Sequence, residues 1–308
     1  MSLPHRDTTA GRVYLDLQAR ARREERPTDE LFLFYVLERF LCRLSRSSHR
    51  NRLVLKGGML LAVFDGRRAT RDIDLLAQSL DNDIDTVATL VRDVLRIEID
   101  DGVAYETDSL TARVIREQDI YTGMRLAVPA QIHRAQQPLR LDVNVGDPVT
   151  PAPVEIDYPS LLGDSFPILG YPLVTLLAEK IVTMIDRGDA TTRDRDFADV
   201  ALLISRHDID ATELAAAIKA TAVHRKSQLR PLRDVLVSLA QQRQADWARF
   251  VDKSGLVGQA PELYSDAINA VVSFADPILD GSLMSGTWQA ARKRWSPADT
   301  EVIQAVGW

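Results

Sequence analysis

The chain has 308 residues, of which 45% are hydrophobic and 27% charged, and a net charge of −6. These values are ordinary for a soluble globular protein of two domains, and they argue against a surface coated in basic residues for nucleic acid. No apolar run approaches the roughly 20 residues that span a bilayer, the polar residues 1–7 lack the core of a signal peptide, and a lone Cys42 excludes an internal disulfide, so the expected compartment is the cytoplasm.

Residues 12–25 read as a charged helix that covers a surface or a partner. Residues 28–44 read as an amphipathic helix: Leu31, Tyr35, Leu37, Phe40, Leu41 and Leu44 recur at helical spacing, with Thr28 as N-cap and Cys42 buried. A strand over 52–55, a helix over 59–64 that ends at Asp65-Gly66, and a strand over 72–76 follow. A clean helical pattern covers 83–95. The period then becomes strand-like over 103–107, 110–115, 124–128 and 139–145, which predicts a mixed sheet with much antiparallel pairing. From Pro172 the pattern is almost entirely helical, with later helices over 212–222, 232–241, 262–274 and 287–295. Gly163, Pro167, Gly170 and Pro172 read as a linker. The predicted architecture is therefore α/β (α+β): a mixed-sheet domain over residues 1–170 with N-terminal helices, then a mainly helical domain over 171–308, the two lobes sharing a cleft.

The chemistry concentrates in Lys56-Gly57-Gly58 and in Arg67-Arg68-Ala69-Thr70-Arg71-Asp72-Ile73-Asp74. Strand alternation puts Asp72 and Asp74 on one face and Ile73 on the opposite, buried one. Two adjacent carboxylates repel unless a cation sits between them, and hard oxygen ligands of this kind suit Mg²⁺ together with substrate phosphates. The glycines let backbone N–H groups approach a phosphate, and Lys56 and the arginines, Arg71 among them, stand beside it. Phosphate beside a metal-binding pair suggests phosphoryl or nucleotidyl transfer. The bland alternative for the acids is a solvated pair at a strand end, and for Lys56 the end of a strand. Asp147, after Gly146, reads as a turn residue.

Lys180 falls on the apolar stripe Leu173, Leu176, Leu177, Ile181 and Met184. A lysine there needs an anionic partner or must extend to the rim. Nucleotide phosphate is one such partner, and an ion pair with Asp72 or Asp74 is the structural alternative. Downstream, Asp196 borders an apolar face of Phe197, Val200, Ala201 and Ile204, and Arg193 lies one turn before it, within reach. Thr191 and Thr192 read as caps of that helix. The five histidines have no metal-ligand spacing. The tryptophans Trp247, Trp288, Trp295 and Trp308 read as packing anchors.

Gly57-Gly58, then Asp72-Ile73-Asp74, then Leu141-Asp142-Val143 together resemble the signature of DNA polymerase β-type nucleotidyltransferases. With residues 172–180 and 193–200 added, the chain resembles the AbiEii branch, toxins of type IV-like toxin–antitoxin pairs that include the MenT toxins. The resemblance implies a toxin that adds NMP from an NTP, with CTP favoured, to the 3′ acceptor end of tRNA, and a cognate antitoxin encoded nearby. It implies Asp142 as the third ligand of Mg²⁺ (or Mn²⁺) beside Asp72 and Asp74, and Asp72 as the central catalytic acid. Lys180, Asp196 and Asp199 become functional residues, Lys56, Gly57, Gly58, Arg71 and Arg193 nucleotide contacts, and Thr70 a candidate regulatory phosphosite. A monomer without membrane contact is expected. Two rival expectations are a nucleotidyltransferase that modifies a small molecule such as an antibiotic, and an inactive nucleotidyltransferase fold that serves as a binding module.

Overall fold

Two helices come first in the structure. The computed structural model describes residues 3–64, 68–78, 80, 83–117 and 121–297, in a first unit that ends at Leu176 and a second that begins at Leu177. Helix α1 (Thr9–Arg23) is capped by Thr8, whose hydroxyl accepts from Gly11 N at 3.1 Å. It buries Val13, Tyr14, Leu17 and Ala21, and Tyr14 stacks on Phe32 of helix α2 (Thr28–Arg46) with centroids 4.8 Å apart. The charged helix thus covers α2. Pro27, not Thr28, is the N-cap of α2, and no side chain bonds there. Cys42 is buried in α2, and so is Arg43, whose fork holds Asp101 at 2.5 and 3.2 Å.

Strand β1 (Leu53–Lys56) is buried along its length. A short helix α3 (Gly57–Leu60) and a 3₁₀ turn over Leu61–Phe64 follow; the expected end at Asp65-Gly66 lies outside the described residues. Next come β2 (Ile73–Ala77) and α4 (Ile84–Leu95), capped by Asp83, which accepts from Thr86 N at 2.8 Å. Strands β3 (Val103–Tyr105), β4 (Thr111–Glu117), β5 (Tyr121–Ile132), β6 (Ala135–Val145), β7 (Val154–Tyr158) and β8 (Phe166–Gly170) complete one sheet. Among the described residues it has eight strands in the order β3-β5-β6-β2-β1-β8-β7, with β4 also on β5. The β2–β6 and β1–β8 pairs are parallel and the others antiparallel. The fold is mixed α/β with a mixed sheet, as the pattern predicts. The stretch read as a linker is in part β8. Phe166, Ile168 and Gly170 are its buried positions, and Pro167, which lacks an N–H and so disguised the strand, stands exposed opposite Asp157.

Helix α5 (Leu173–Arg187) leads into the second unit. There α6 (Asp194–Ile204), β9 (Ile209–Asp210), α7 (Ala211–Arg225), α8 (Leu232–Val235), α9 (Leu239–Lys253), α10 (Tyr264–Leu279), β10 (Gly286–Gln289) and β11 (Arg294–Pro297) follow in order. The helix expected over 232–241 breaks in two, because the Asp189 carboxylate accepts from Ser238 N and Leu239 N, both at 3.0 Å, and starts α9 there. The helix expected over 287–295 is a β-hairpin in which Trp288 faces Trp295, and β10 also pairs with β9. A separation of seven places two residues on one helical face and also suits facing positions of a hairpin. Both indoles pack on Phe274, with centroids at 5.1 and 5.3 Å. Trp247 stacks on Tyr264 at 4.6 Å; Trp308 lies outside the described residues. No helix among the described residues is long and apolar enough to cross a membrane.

Candidate active site

Sheet register builds the site in the first unit. Asp74 on β2 is opposite Lys56 on β1 and opposite Asp142 on β6, and Asp142 is opposite Arg125 on β5. Lys56, Asp74, Asp142 and Arg125 therefore form one row across four neighbouring strands, with their side chains on one face. Asp72 precedes Asp74 by two, and the intervening Ile73 is fully buried on the other face, as alternation requires.

Two acids side by side on neighbouring strands repel. Arg125 answers this on one side: its Nε donates to Asp142 Oδ1 at 2.7 Å and its Nη2 to Asp142 Oδ2 at 2.6 Å. The hydrogen bonds that Arg125 donates to Asp142 do most to push its guanidinium above its ordinary range. Burial works against this, and the charges of Asp142, Asp72 and Asp74 add to it. On the other side Lys56 Nζ donates to Asp147 Oδ2 at 2.7 Å and lies 5.3 Å from the Tyr171 ring centre. Asp147 is thus more than a turn residue: its side chain is nearly buried against Lys56.

The glycines fit this row. Gly57 has φ +64°, and a Cβ there would collide with the Asp74 carboxylate. At Gly58 a Cβ would stand 2.7 Å from Thr70 Oγ1. Thr70 is buried, and its hydroxyl donates to Asp72 Oδ1 at 3.3 Å. Arg68 is buried and bonds Ala69 O at 3.1 Å, whereas Arg71 is exposed. Arg67 lies outside the described residues. Among the described residues, no three His, Cys, Asp or Glu side chains are gathered to hold a metal ion by themselves. Asp72 and Asp74 as hard donors still fit a divalent cation completed by phosphate oxygens.

The second unit holds the other cluster. Lys180 Nζ donates to Asp196 Oδ1 at 3.0 Å and to Asp199 Oδ2 at 2.7 Å, and the two acid side chains are only 3% and 2% exposed. The anionic partner that its apolar stripe demands is therefore a pair of carboxylates on α6. Arg193 Nε donates to the other oxygen of Asp196 at 2.7 Å. Burial alone would push the Asp196 carboxyl up; Lys180, Arg193 and Arg195 outweigh it and hold the group well below the usual carboxylate range. Arg193 itself is the N-cap of α6, and Thr191 Oγ1 accepts from Arg193 N at 3.2 Å, so Thr191 braces the turn before the helix and does not cap it. Asp194 is bound by Arg243 at 2.7 and 3.2 Å.

Sequence reasoning missed Arg125, the burial of Asp147 and the Asp194–Arg243 pair. Arg125 is joined to the site only through strand register. A two-residue hairpin at His133-Arg134 pairs Ile132 with Ala135 and, continued, pairs Arg125 with Asp142.

A family model, the nucleotidyltransferase AbiEii toxin of type IV toxin–antitoxin systems, matches residues 39–269. No curated protein matches the chain in sequence. Among solved structures, the chain is similar to a candidate nucleotidyltransferase from H. pylori, with 14% identity and a TM-score of 0.46, over 80% of this chain and 94% of that one. It is also similar to JHP933 from Helicobacter pylori, with 14% identity and a TM-score of 0.45, over 80% of this chain and 90% of that one.

Proposed function

The chain belongs to the AbiEii family of nucleotidyltransferase toxins, and from that premise we propose that it transfers NMP from an NTP, CTP first among them, to the 3′ acceptor end of tRNA and so stops translation. A toxin of this family is paired with a cognate antitoxin. The family chemistry uses an NTP and a divalent metal; we take the metal to be Mg²⁺ or Mn²⁺.

The observation that carries the reading is the row of Lys56, Asp74, Asp142 and Arg125 with Asp72 beside it. Asp72 and Asp74 would hold the cation, which when bound neutralises phosphate charge and favours the attacking hydroxyl. Gly57 and Gly58 let Asp74 and Thr70 approach the backbone closely; we assign their N–H groups to a phosphate, with the fork of exposed Arg71. Lys56 is steadied by Asp147 at 2.7 Å. In the second unit Asp196 and Asp199 fix Lys180, and Arg193 fixes Asp196; we assign these four to nucleotide handling on the family motif. Transfer itself is positioning plus charge neutralisation, the effects that dominate phosphoryl-type reactions. The acceptor hydroxyl attacks the α-phosphorus in line and gives up its proton to water, the bond to the bridging oxygen breaks, and pyrophosphate leaves.

Incubation of the protein with each α-labelled NTP and total RNA tests the reading. Label on tRNA, strongest with CTP, supports it. Label on small molecules alone replaces tRNA with a small acceptor, and no transfer at all leaves a binding module.

A further inference from the structure

We propose that Arg125 is a positioning residue that holds the third carboxylate, Asp142, in the metal-free enzyme and thereby weakens the affinity of the site for a divalent cation. The inference rests on the reading of Asp72 and Asp74 as metal ligands.

Three features of the row lead to it. First, the Arg125 fork takes both oxygens of Asp142, at 2.7 and 2.6 Å, so the acid offers its charge to a tethered cation. Second, Asp142 and Asp74 are direct neighbours in register. Such neighbours have Cβ atoms about 5 Å apart, so a divalent cation on Asp74 and the guanidinium on Asp142 draw on the same negative charge and repel each other. Third, the Arg125 side chain is 36% exposed while that of Asp142 is 15% exposed. The acid is fixed in the sheet; the arginine has solvent into which it can turn. Arginine suits the task better than lysine, because only a planar fork matches both carboxylate oxygens.

A pair that serves the fold alone predicts something different. Its removal would lower stability and leave cation affinity unchanged. A resident counter-cation, once removed, lowers the stability of the metal-free protein and tightens cation binding.

The experiment is an Mn²⁺ titration of the full chain, without nucleotide, read by the electron paramagnetic resonance of free Mn²⁺. Arg125→Met is expected to bind Mn²⁺ roughly tenfold more tightly than wild type, the effect of removing one nearby like charge through a high effective dielectric. Asp142→Asn, which keeps the guanidinium and loses the acid, should bind more weakly than wild type. Arg125→Lys keeps the charge without the fork and should fall between wild type and Arg125→Met. Equal or weaker binding by Arg125→Met overturns the proposal, and if that variant does not fold, Arg125→Gln, which also removes the charge, is held to the same criterion. Asp72→Ala separates the two readings. If Asp72→Ala binds as wild type does, the metal assignment itself fails. If it loses Mn²⁺ while Arg125→Met is unchanged, only the role of Arg125 fails.

Discussion

Replacing Lys180 with methionine keeps the volume and apolar stem of the side chain and removes its charge. In the structure that charge lies 3.0 Å from Asp196 and 2.7 Å from Asp199. Arg193 would still hold Asp196 Oδ2, but Asp196 Oδ1 and Asp199 Oδ2 would face a thioether. Removing one partner of a buried ion pair costs about 3–5 kcal/mol, because the remaining charge stays desolvated. For a protein of this size that is roughly 10 °C in melting temperature. The double variant Lys180→Met/Asp199→Asn removes the stranded acid as well and should recover part of the loss, so the two changes are non-additive. Thermal denaturation of wild type, Lys180→Met, Asp199→Asn and the double variant by circular dichroism measures this. If Lys180→Met melts within about 2 °C of wild type, Lys180 is not the counter-charge of α6 and the cluster has been misread.

Asp72→Ala should abolish nucleotidyl transfer while the melting temperature in the absence of metal stays level or rises, since a like-charge neighbour is removed; a labelled-NTP assay with a melting curve checks both. Expression of the wild type in a bacterium should arrest growth, and Asp72→Ala should not; arrest by a well-expressed Asp72→Ala would detach toxicity from transfer. Gly57→Ala should destabilise by more than the roughly 1–2 kcal/mol of a left-handed non-glycine residue and remove transfer, because its Cβ meets the Asp74 carboxylate. The Asp196 pKa is lowered in the folded state. Its contribution is therefore present above the unfolded value of about 3.9 and lost as pH falls through the lower folded value. The Asp196 contribution should be lost only below about pH 4, as a pH series of denaturant midpoints for wild type and Asp196→Asn would report.

The parts of the site that were legible in the sequence are those fixed by local spacing. Asp72, Ile73 and Asp74 need only strand alternation to share and oppose faces. Lys180 needed only helical period to be seen as out of place on an apolar stripe, and its partners Asp196 and Asp199 lie on the very next helix. What stayed hidden depends on pairing between strands. Arg125 lies within the strand expected over 124–128 with nothing local to mark it, and His133-Arg134 lacks the Asn-Gly chemistry that announces a tight hairpin. His133 takes φ +51° without being glycine, so the register that joins Arg125 to Asp142 had no visible punctuation. The β10–β11 hairpin was lost for a different reason: Trp288 and Trp295 satisfy two periodicities at once, and tertiary packing on Phe274 decided between them.

The parallel pairing of β2 with β6 also sets when the enzyme can come into being. During synthesis β1 and β2 can meet as soon as residue 77 has left the ribosome, since their antiparallel register needs nothing later. The edge of β2 that takes β6 then waits until residues 141–145 arrive. In that interval Asp72 and Asp74 exist without Asp142 or its arginine, on a strand whose Ile73, Leu75 and Leu76 have no finished core to enter. Long-range parallel pairing forms slowly, and open apolar strand edges invite wrong partners. For a nucleotidyltransferase of a toxin family, the order of strands therefore delays the weapon: most of the sheet must be made before the carboxylate row is assembled.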